Sequence, residues 1–401
     1  MEGRKVPEIR FEGFEGEWEQ RKLIDICDYV DYRGKTPTKT DCGIFLVTAK
    51  NVKAGYIDYE SSKEYISEDN YEEVMHRGKP KIGDVLITTE APCGNVAQVD
   101  SSNIALAQRI IKYRGHKNEI DNPYLKHYML APRFQKLLFE KNSGGTVQGI
   151  KGSILHQQYV MYPRYAEQVK IGQYLDRFDH LITFHQCKYK KLEYFKEAML
   201  DKMLPRNDEK VPKIRFEGFT DDWEQRKFGE VFEEYSEKNH PELSALTIIQ
   251  GSGTVKREES DRNLMYDKAN LSGYKMVREN DFIVHLRSFE GGLEKASSDG
   301  IVSPAYHTFH GDNVDSRFYY PYFRSFEFIK KKLMPHVYGI RDGRSIDIDG
   351  MKTIEIPYTS FEEQQVIGNY LDSLDHLMTL HQDKIEKLHN FKKSMLEKMF
   401  I

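Results

Sequence analysis

The chain has 401 residues, 39% of them hydrophobic and 30% charged, enough for two cores and too apolar for a disordered chain. No run of about 18 apolar residues occurs, which excludes a membrane-spanning helix, and no membrane partner is expected. The net charge is −4 and the pI about 6.4, so a nucleic-acid partner requires a local basic cleft in an acidic protein.

The N-terminal stretch Met1-Glu2-Gly3-Arg4-Lys5 has no apolar signal region. The four cysteines, Cys27, Cys42, Cys93 and Cys187, form no CxxC pair and no zinc spacing, which predicts a reducing cytoplasm.

The first recognisable segment, Lys5 to Leu23 (KVPEIRFEGFEGEWEQRKL), returns as Lys210 to Phe228 with 14 identities in 19, at an offset of 205. An interior from 24 to 166 follows and closes on a short strand-like run, Tyr159 to Pro163. Glu167 to Leu204 then returns as Glu363 to Phe400 with 22 identities in 38, at an offset of 196. Pro205 and the polar run to Lys210 form a linker. The second interior, 229–362, ends in a similar run, Ile354 to Pro357. Between the matched ends only echoes survive, such as Gly83-Asp84-Val85-Leu86 against Asn280-Asp281-Phe282-Ile283.

The segment from Ala166 to Leu204 has one glycine, Gly172, and no proline before Pro205; as a helix it spans ~57 Å. Its apolar stripe is Ile171, Leu175, Phe178, Ile182, His185, Tyr189, Leu192, Phe195, Met199 and Met203. The steps are mostly 4-3-4-3, a coiled-coil seam with a stammer near Phe195. The second copy has Ile367, Leu371, Leu374, Met378, His381, Ile385, Leu388, Phe391, Met395 and Met399. Each stripe needs a partner, and the other copy is the nearest one. In an antiparallel pair His185 and His381 meet near the crossing point; otherwise each is a polar seam residue on a wet edge.

The predicted class is therefore α+β: two globular domains (1–165 and 206–361) joined by two long helices (166–205 and 362–401). The helices form an antiparallel coiled coil, and the internal repeat makes the molecule pseudo-twofold.

Enzyme motifs are missing. There is no GxxxxGK[ST] loop, no GxGxxG after a strand and no HExxH. Asn122-Pro123-Tyr124 lacks the second proline of an amino-methyltransferase motif, and Phe216-Glu217-Gly218-Phe219 lacks the glycine pair of a methyl-donor loop. Asp84 and Glu90 are not followed by the ExK spacing of a nuclease, so Glu90 reads as a solvated strand end.

The twin EQxxIGxxLDxxDxLIxxHQxKxxxLxxFKxxMLxKM helices, each behind a variable domain and a WEQRK segment, resemble the specificity subunit of type I restriction-modification systems. The resemblance spans nearly the whole chain. It implies that each variable domain is a target recognition domain reading one half of a split, asymmetric double-stranded DNA sequence. It also implies that the helices act as a ruler and dock two methyltransferase subunits, joined by restriction (motor) subunits. S-adenosylmethionine, ATP and magnesium are then expected on those partners, with no cofactor, metal or catalytic residue on this chain.

Base edges call for Arg, Lys, Asn, Gln and Ser/Thr; phosphates call for Arg, Lys and glycine-rich backbone. In the first domain these criteria select Lys35, Thr36, Lys39, Lys50, Asn51, Gln108 and Arg109. The loop from Lys141 through Gly144, Gly145, Thr146 and Gln148 to Lys151 joins them. In the second they select Arg257, Arg287, Ser288, Tyr306, Arg341 and Arg344. The alternative for each is an ordinary exposed charge with a neighbouring partner. Trp18 and Trp223, at matched points of the repeat, read as structural anchors. Two rival functions remain: a stand-alone DNA endonuclease, and a coiled-coil scaffold without DNA readout.

Overall fold

The computed structural model describes the chain except for residues 1–4, 35, 142–148, 206–208, 261–267 and 340–343. It divides into two units. Unit 1 comprises Met1–Cys187 with His381–Ile401, and unit 2 comprises Lys188–Leu380. Each unit therefore takes half of each long helix.

In unit 1 the strands are β1 (Glu19–Lys22), β2 (Cys27–Asp31), β3 (Ile44–Val47), β4 (Tyr65–Ile66), β5 (Val85–Thr88), β6 (Val96–Gln98), β7 (Ile104–Leu106), β8 (Ile110–Gly115) and β9 (Tyr159–Tyr162). An antiparallel sheet has the order β2-β8-β5-β6, and a smaller one the order β4-β3-β7, in which β3 and β7 run parallel. The central strand VLIT is buried at all four positions, because both faces of the sheet are covered. Alternation sorts its side chains. Val85 and Ile87 face a core with Tyr124 and Leu125 of helix α1 (Asn122–Leu130), whereas Leu86 joins Leu46, Ala97 and Leu106 on the other side.

Unit 2 repeats the plan with β10 (Glu224–Lys227), β11 (Glu233–Tyr235), β12 (Leu246–Ile249), β13 (Gly253–Lys256), β14 (Lys275–Val277), β15 (Phe282–Val284), β16 (Glu294–Lys295), β17 (Gly300–Val302) and β18 (His307–His310). Its sheet order, β11-β18-β15-β16, matches that of unit 1 strand for strand. Phe282 and Val284 face Tyr319 and Phe323 of helix α3 (Ser316–Phe323), and Ile283 faces Leu246, Val277 and Val302. The Gly83/Asn280 echo in the sequence is thus one structural position. Both residues have positive φ (88° and 72°), and both donate from N–H across the sheet, to Val99 and Ala296.

The long helices run Tyr165–Met203 (α2) and Phe361–Lys398 (α4). Within unit 1, Phe178 lies 5.4 Å from Phe391 and His185 faces His381; within unit 2, Lys196 binds Asp375. Partner numbers fall as residue numbers rise, so the pairing is antiparallel. The seam residues Ile171, Leu175, Ile182, Ile367, Leu371 and Leu374 are buried. Phe178, His185, Leu192, Met378, His381 and Leu388 are half-buried. Two stripe positions depart from the expectation. Phe195 and Phe391 are exposed, although Phe391 still meets Phe178, because the stammer shifts them toward the edge of the seam and brings the next residues, Lys196 and Lys392, toward the facing helix.

The strongly repeated residues form a buried polar frame. The WEQRK strand β1 pairs with β9, and β10 with β19 (Glu355–Tyr358). Glu167 at the start of α2 takes a two-pronged pair from Arg10, and Glu363 takes one from Arg215. Gln168 accepts from the Asp121 N–H and Gln364 from the Asp315 N–H, at 3.0 Å in each case. Gly172 sits where a Cβ would meet Asp121 Oδ2 at 2.8 Å and Tyr124 N at 2.9 Å, so its absence of side chain lets α2 dock on α1. Trp18 and Trp223 are buried beside Tyr124 and Phe318, as anchors.

Candidate nucleic-acid interface

Strand register defines a shared edge in each unit. In unit 1, Asp31 lies opposite Ile111, so Arg33 continues to the level of Arg109; Thr88 lies opposite Ile110, which brings Thr89 and Glu90 to the same end. Arg109 has φ +75°, a costly conformation for a side-chain-bearing residue. Its carbonyl accepts from the Thr89 N–H, and its Nε lies 3.4 Å from Glu90. Glu90 forms a bridge with Gly149, where a Cβ would press on Glu90 Cγ at 2.9 Å. Lys151 is exposed just before the short helix Gly152–His156. The opposite end of the sheet is occupied by the Gly115–Asn122 corner on which α2 begins.

The structure thus gathers Gln108, Arg109 and Lys151, with Thr36 exposed three residues beyond Arg33. It separates others. Lys39 pairs with Glu64 at 2.8 Å beside the small sheet, Lys50 is exposed on the turn after β3, and Lys141 lines a cleft with Lys5, Arg133 and Phe400. Asn51 requires a correction. It is fully buried, its Oδ1 accepts from Thr48, and its Nδ2 donates to the carbonyls of Asp58 and Ser62, so its amide is used up in holding the loop. Lys35, Gly144, Gly145, Thr146, Gln148 and Arg341 lie outside the described residues.

In unit 2 the same edge carries different chemistry. Val284 lies opposite His307, which places His285 level with Tyr306, their rings 6.1 Å apart. Arg287 is exposed and pairs with Glu290. Arg344 approaches Phe289, and Arg257 stacks toward Tyr274 beside Tyr306. Of the selected residues, Arg257 therefore lies with Tyr306, and Arg287 and Arg344 lie at the neighbouring 285–290 turn. Ser288 is corrected: it is fully buried, and its hydroxyl accepts from the His285 N–H at 2.9 Å, closing the turn that displays Arg287. Burial pushes His285 down to about 4, with Arg324 adding to the effect, so its ring is neutral at pH 7.

Sequence reasoning missed Arg33 and undervalued Glu90. Only the register of β2 against β8 places residues 33 and 109 side by side, and no local pattern carries that information. The dismissed motifs have structural uses. Asn122 Oδ1 accepts from the Gly115 N–H, and Asp84 is buried under a bidentate pair with Arg114.

The one grouping of metal-type ligands among the described residues is His127, Asp176 and Asp179. Lys126 donates to both carboxylates, and Lys392 is bonded to Asp179. Burial opposes ionisation of Asp176, yet the His127 hydrogen bond and the Lys126 charge hold it well below the usual carboxylate range. Two ammonium groups already fill the role of a cation there.

A duplicated α+β architecture with two dissimilar sheet edges on one repeated helical frame defines a two-headed recognition protein. The family described as Type I restriction modification DNA specificity domain matches residues 15–194 and 220–390. The chain belongs to that family, as a DNA specificity subunit of the type I restriction-modification class. It is similar to the "Type I restriction enzyme MjaVIII specificity subunit" of Methanocaldococcus jannaschii, at 23% identity over 99% of this chain and 93% of that protein. The MjaIX specificity subunit of the same organism is 25% identical over 70% of this chain and 68% of the relative. A crystal structure of the type I S subunit from M. genitalium covers 99% of both chains with a TM-score of 0.63 at 13% identity. A chain from a structural study of type I complex assembly and conformational transition covers 94% of this chain and 96% of its own, with a TM-score of 0.51 at 16% identity. These likenesses establish the fold.

Proposed function

We propose that each unit reads one half of a bipartite, asymmetric DNA target through the strand-end edge described above. Recognition domains at 1–165 and 206–361 would be carried on helices that set the spacing. The observation behind this reading is the contrast within one frame: strands, frame residues and helix pairing repeat, while the edge residues are replaced. A repeated scaffold with two different edges is suited to an asymmetric sequence. Heads that enter the major groove from one side sit about 34–36 Å apart, one helical turn, or a multiple of it.

The chain itself supplies no reaction in this reading and works in the cytoplasm with partner subunits. Exposed apolar side chains on the helices recur at the repeat offset: Leu181 and Phe184 in unit 1, Leu377 and Leu380 in unit 2. Two such faces support docking of two methyltransferase subunits, which a restriction subunit then joins. S-adenosylmethionine, ATP and magnesium belong to those partners.

The test is methylation mapping of the assembled complex. Arg109→Ala is expected to degrade one half of the target, and Tyr306→Ala the other. Removing a heptad from both helices is expected to shorten the spacer. A target that is continuous, or a spacer indifferent to helix length, would overturn the reading. DNA cleavage by the isolated chain with magnesium would favour the endonuclease alternative.

A further inference from the structure

Arg33 is the best-anchored cation at the unit 1 edge. Its Nε donates to Asp31 Oδ1 and Oδ2 at 3.1 and 2.9 Å, and its Nη2 donates to Oδ2 at 2.7 Å. The backbone is clamped as well: Arg33 N–H donates to Asp31 Oδ1, and Arg77 Nη1 donates to the carbonyls of Asp31 and Arg33. Beneath the pair, Gly152 leaves room that a Cβ would fill, 2.5 Å from Arg33 Nη2 and 2.8 Å from Asp31 Oδ2. His156 supports this floor. Tyr29 stacks on it at 3.7 Å, and Tyr113 shares a 2.7 Å hydrogen bond with its Nδ1. The Arg33 side chain nevertheless remains 39% exposed.

This geometry locks the Nε–Nη2 side of the fork and leaves Nη1 without an acceptor among the described residues. An arginine held this way spends little rotamer entropy on binding, and its two parallel N–H groups match the O6 and N7 acceptors of guanine. Glu90 lies between this group and Arg109. Its carboxylate repels phosphate and holds Arg109 by an ion pair, which favours base edges over backbone at this edge.

We propose that Arg33, braced by Asp31, is a specificity-determining residue that reads a guanine in the half-site of unit 1, with Glu90 positioning Arg109 beside it. The proposal rests on the DNA-reading function above and names the base that one edge takes.

The experiment assembles wild type, Arg33→Lys and Arg33→Ala with the methyltransferase subunits and maps the methylated sequences. Arg33→Lys keeps the charge and most of the packing but loses the fork. We expect discrimination for G·C at one position of one half-site to fall about 10-fold or more in both variants. The other half-site stays intact, and thermal unfolding of Arg33→Lys stays close to wild type. Asp31→Asn should relax the same position less. An unchanged target in both variants overturns the proposal while leaving the function standing. So does uniformly weaker methylation at all sequences with a shallower salt dependence, the signature of a phosphate contact. A wild-type target without two parts would sink the function itself, and this inference with it.

Discussion

The two units differ even where they are chemically alike at first sight, in the ion pairs that lock each helix to its neighbour. In unit 1, Asp179 is held by Lys392 and by Lys126 at 3.2 Å, under a loop whose Gly55 approaches both groups of the Asp179–Lys392 pair. In unit 2 the repeat-related pair, Lys196–Asp375 at 2.5 Å, is half open to solvent. The sixth residue past the helix cap is His127 in unit 1, donating to Asp176, and Pro321 in unit 2. One repeated pair has thus been buried in a network on one side and left at the surface on the other. A duplicated frame tolerates such divergence provided that its deepest contacts stay fixed.

Those contacts give the largest expected effects. Glu363→Ala should cost about 2–3 kcal/mol by leaving the half-buried Arg215 and the buried Trp223 indole N–H without their acceptor, and chemical denaturation measures it. Glu167→Ala should cost somewhat less. Glu363 also accepts from the Trp223 indole N–H at 3.0 Å and from Thr359, whereas the Trp18 N–H finds no partner among the described residues. Equal losses would show that the extra bonds of unit 2 contribute nothing.

The glycines separate the units next. Gly172→Ala drives a Cβ against the backbone nitrogen of Tyr124 and should destabilise by about 1–3 kcal/mol, the cost of overpacking. At Gly368 the nearest atoms belong to the side chains of Arg317 and Asp315, at 3.1 to 3.3 Å, and can yield. Gly368→Ala should cost under about 1 kcal/mol, and thermal unfolding of the two variants decides the order.

For the helix pairs, Lys392→Ala should cost about 1–3 kcal/mol, because Asp179 stays largely buried. Lys196→Ala should cost less than about 1 kcal/mol, as exposed pairs do. A reversed order would mean that the loop at Gly55 does not exclude water.

The smallest effect is the response to pH. Burial pushes His127 down to about 4. His185, whose Nδ1 lies 2.9 Å from that of His381, is lowered by desolvation and by the charges of His381 and Lys384. Folded pKa values below the ordinary 6.5 mean that the unfolded chain takes up protons first as the solution is acidified. Stability contributed by the neutral rings is therefore present above that value and declines as pH falls toward about 4. Both sites belong to unit 1, and His285 in unit 2 is pushed down to about 4 in the same way. Hydrogen exchange at pH 7 and pH 5 should therefore show protection falling in both units, and His127→Gln should reduce the loss in unit 1 alone.

Much of the molecule was legible in its sequence. The duplication, the two helices and most of the seam follow from identities and a 3.5-residue period, whereas the antiparallel sense needs the fold, because that period serves parallel pairs equally. The glycine at 172 and the Glu-Gln pair at the start of each helix were visible as repeated letters, but their task was not. Only the folded chain sets Gln168 against the cap of α1, or Glu167 beneath Arg10. The recognition edge was the least legible part. Arg33 and Arg109 lie 76 positions apart and meet through strand register, while Asn51 and Ser288 have the right chemistry and are turned inward. Composition decides which side chains are able to read DNA. Burial and register decide which of them face it, because a hydrogen-bonding group already satisfied inside the fold has nothing left to offer a base.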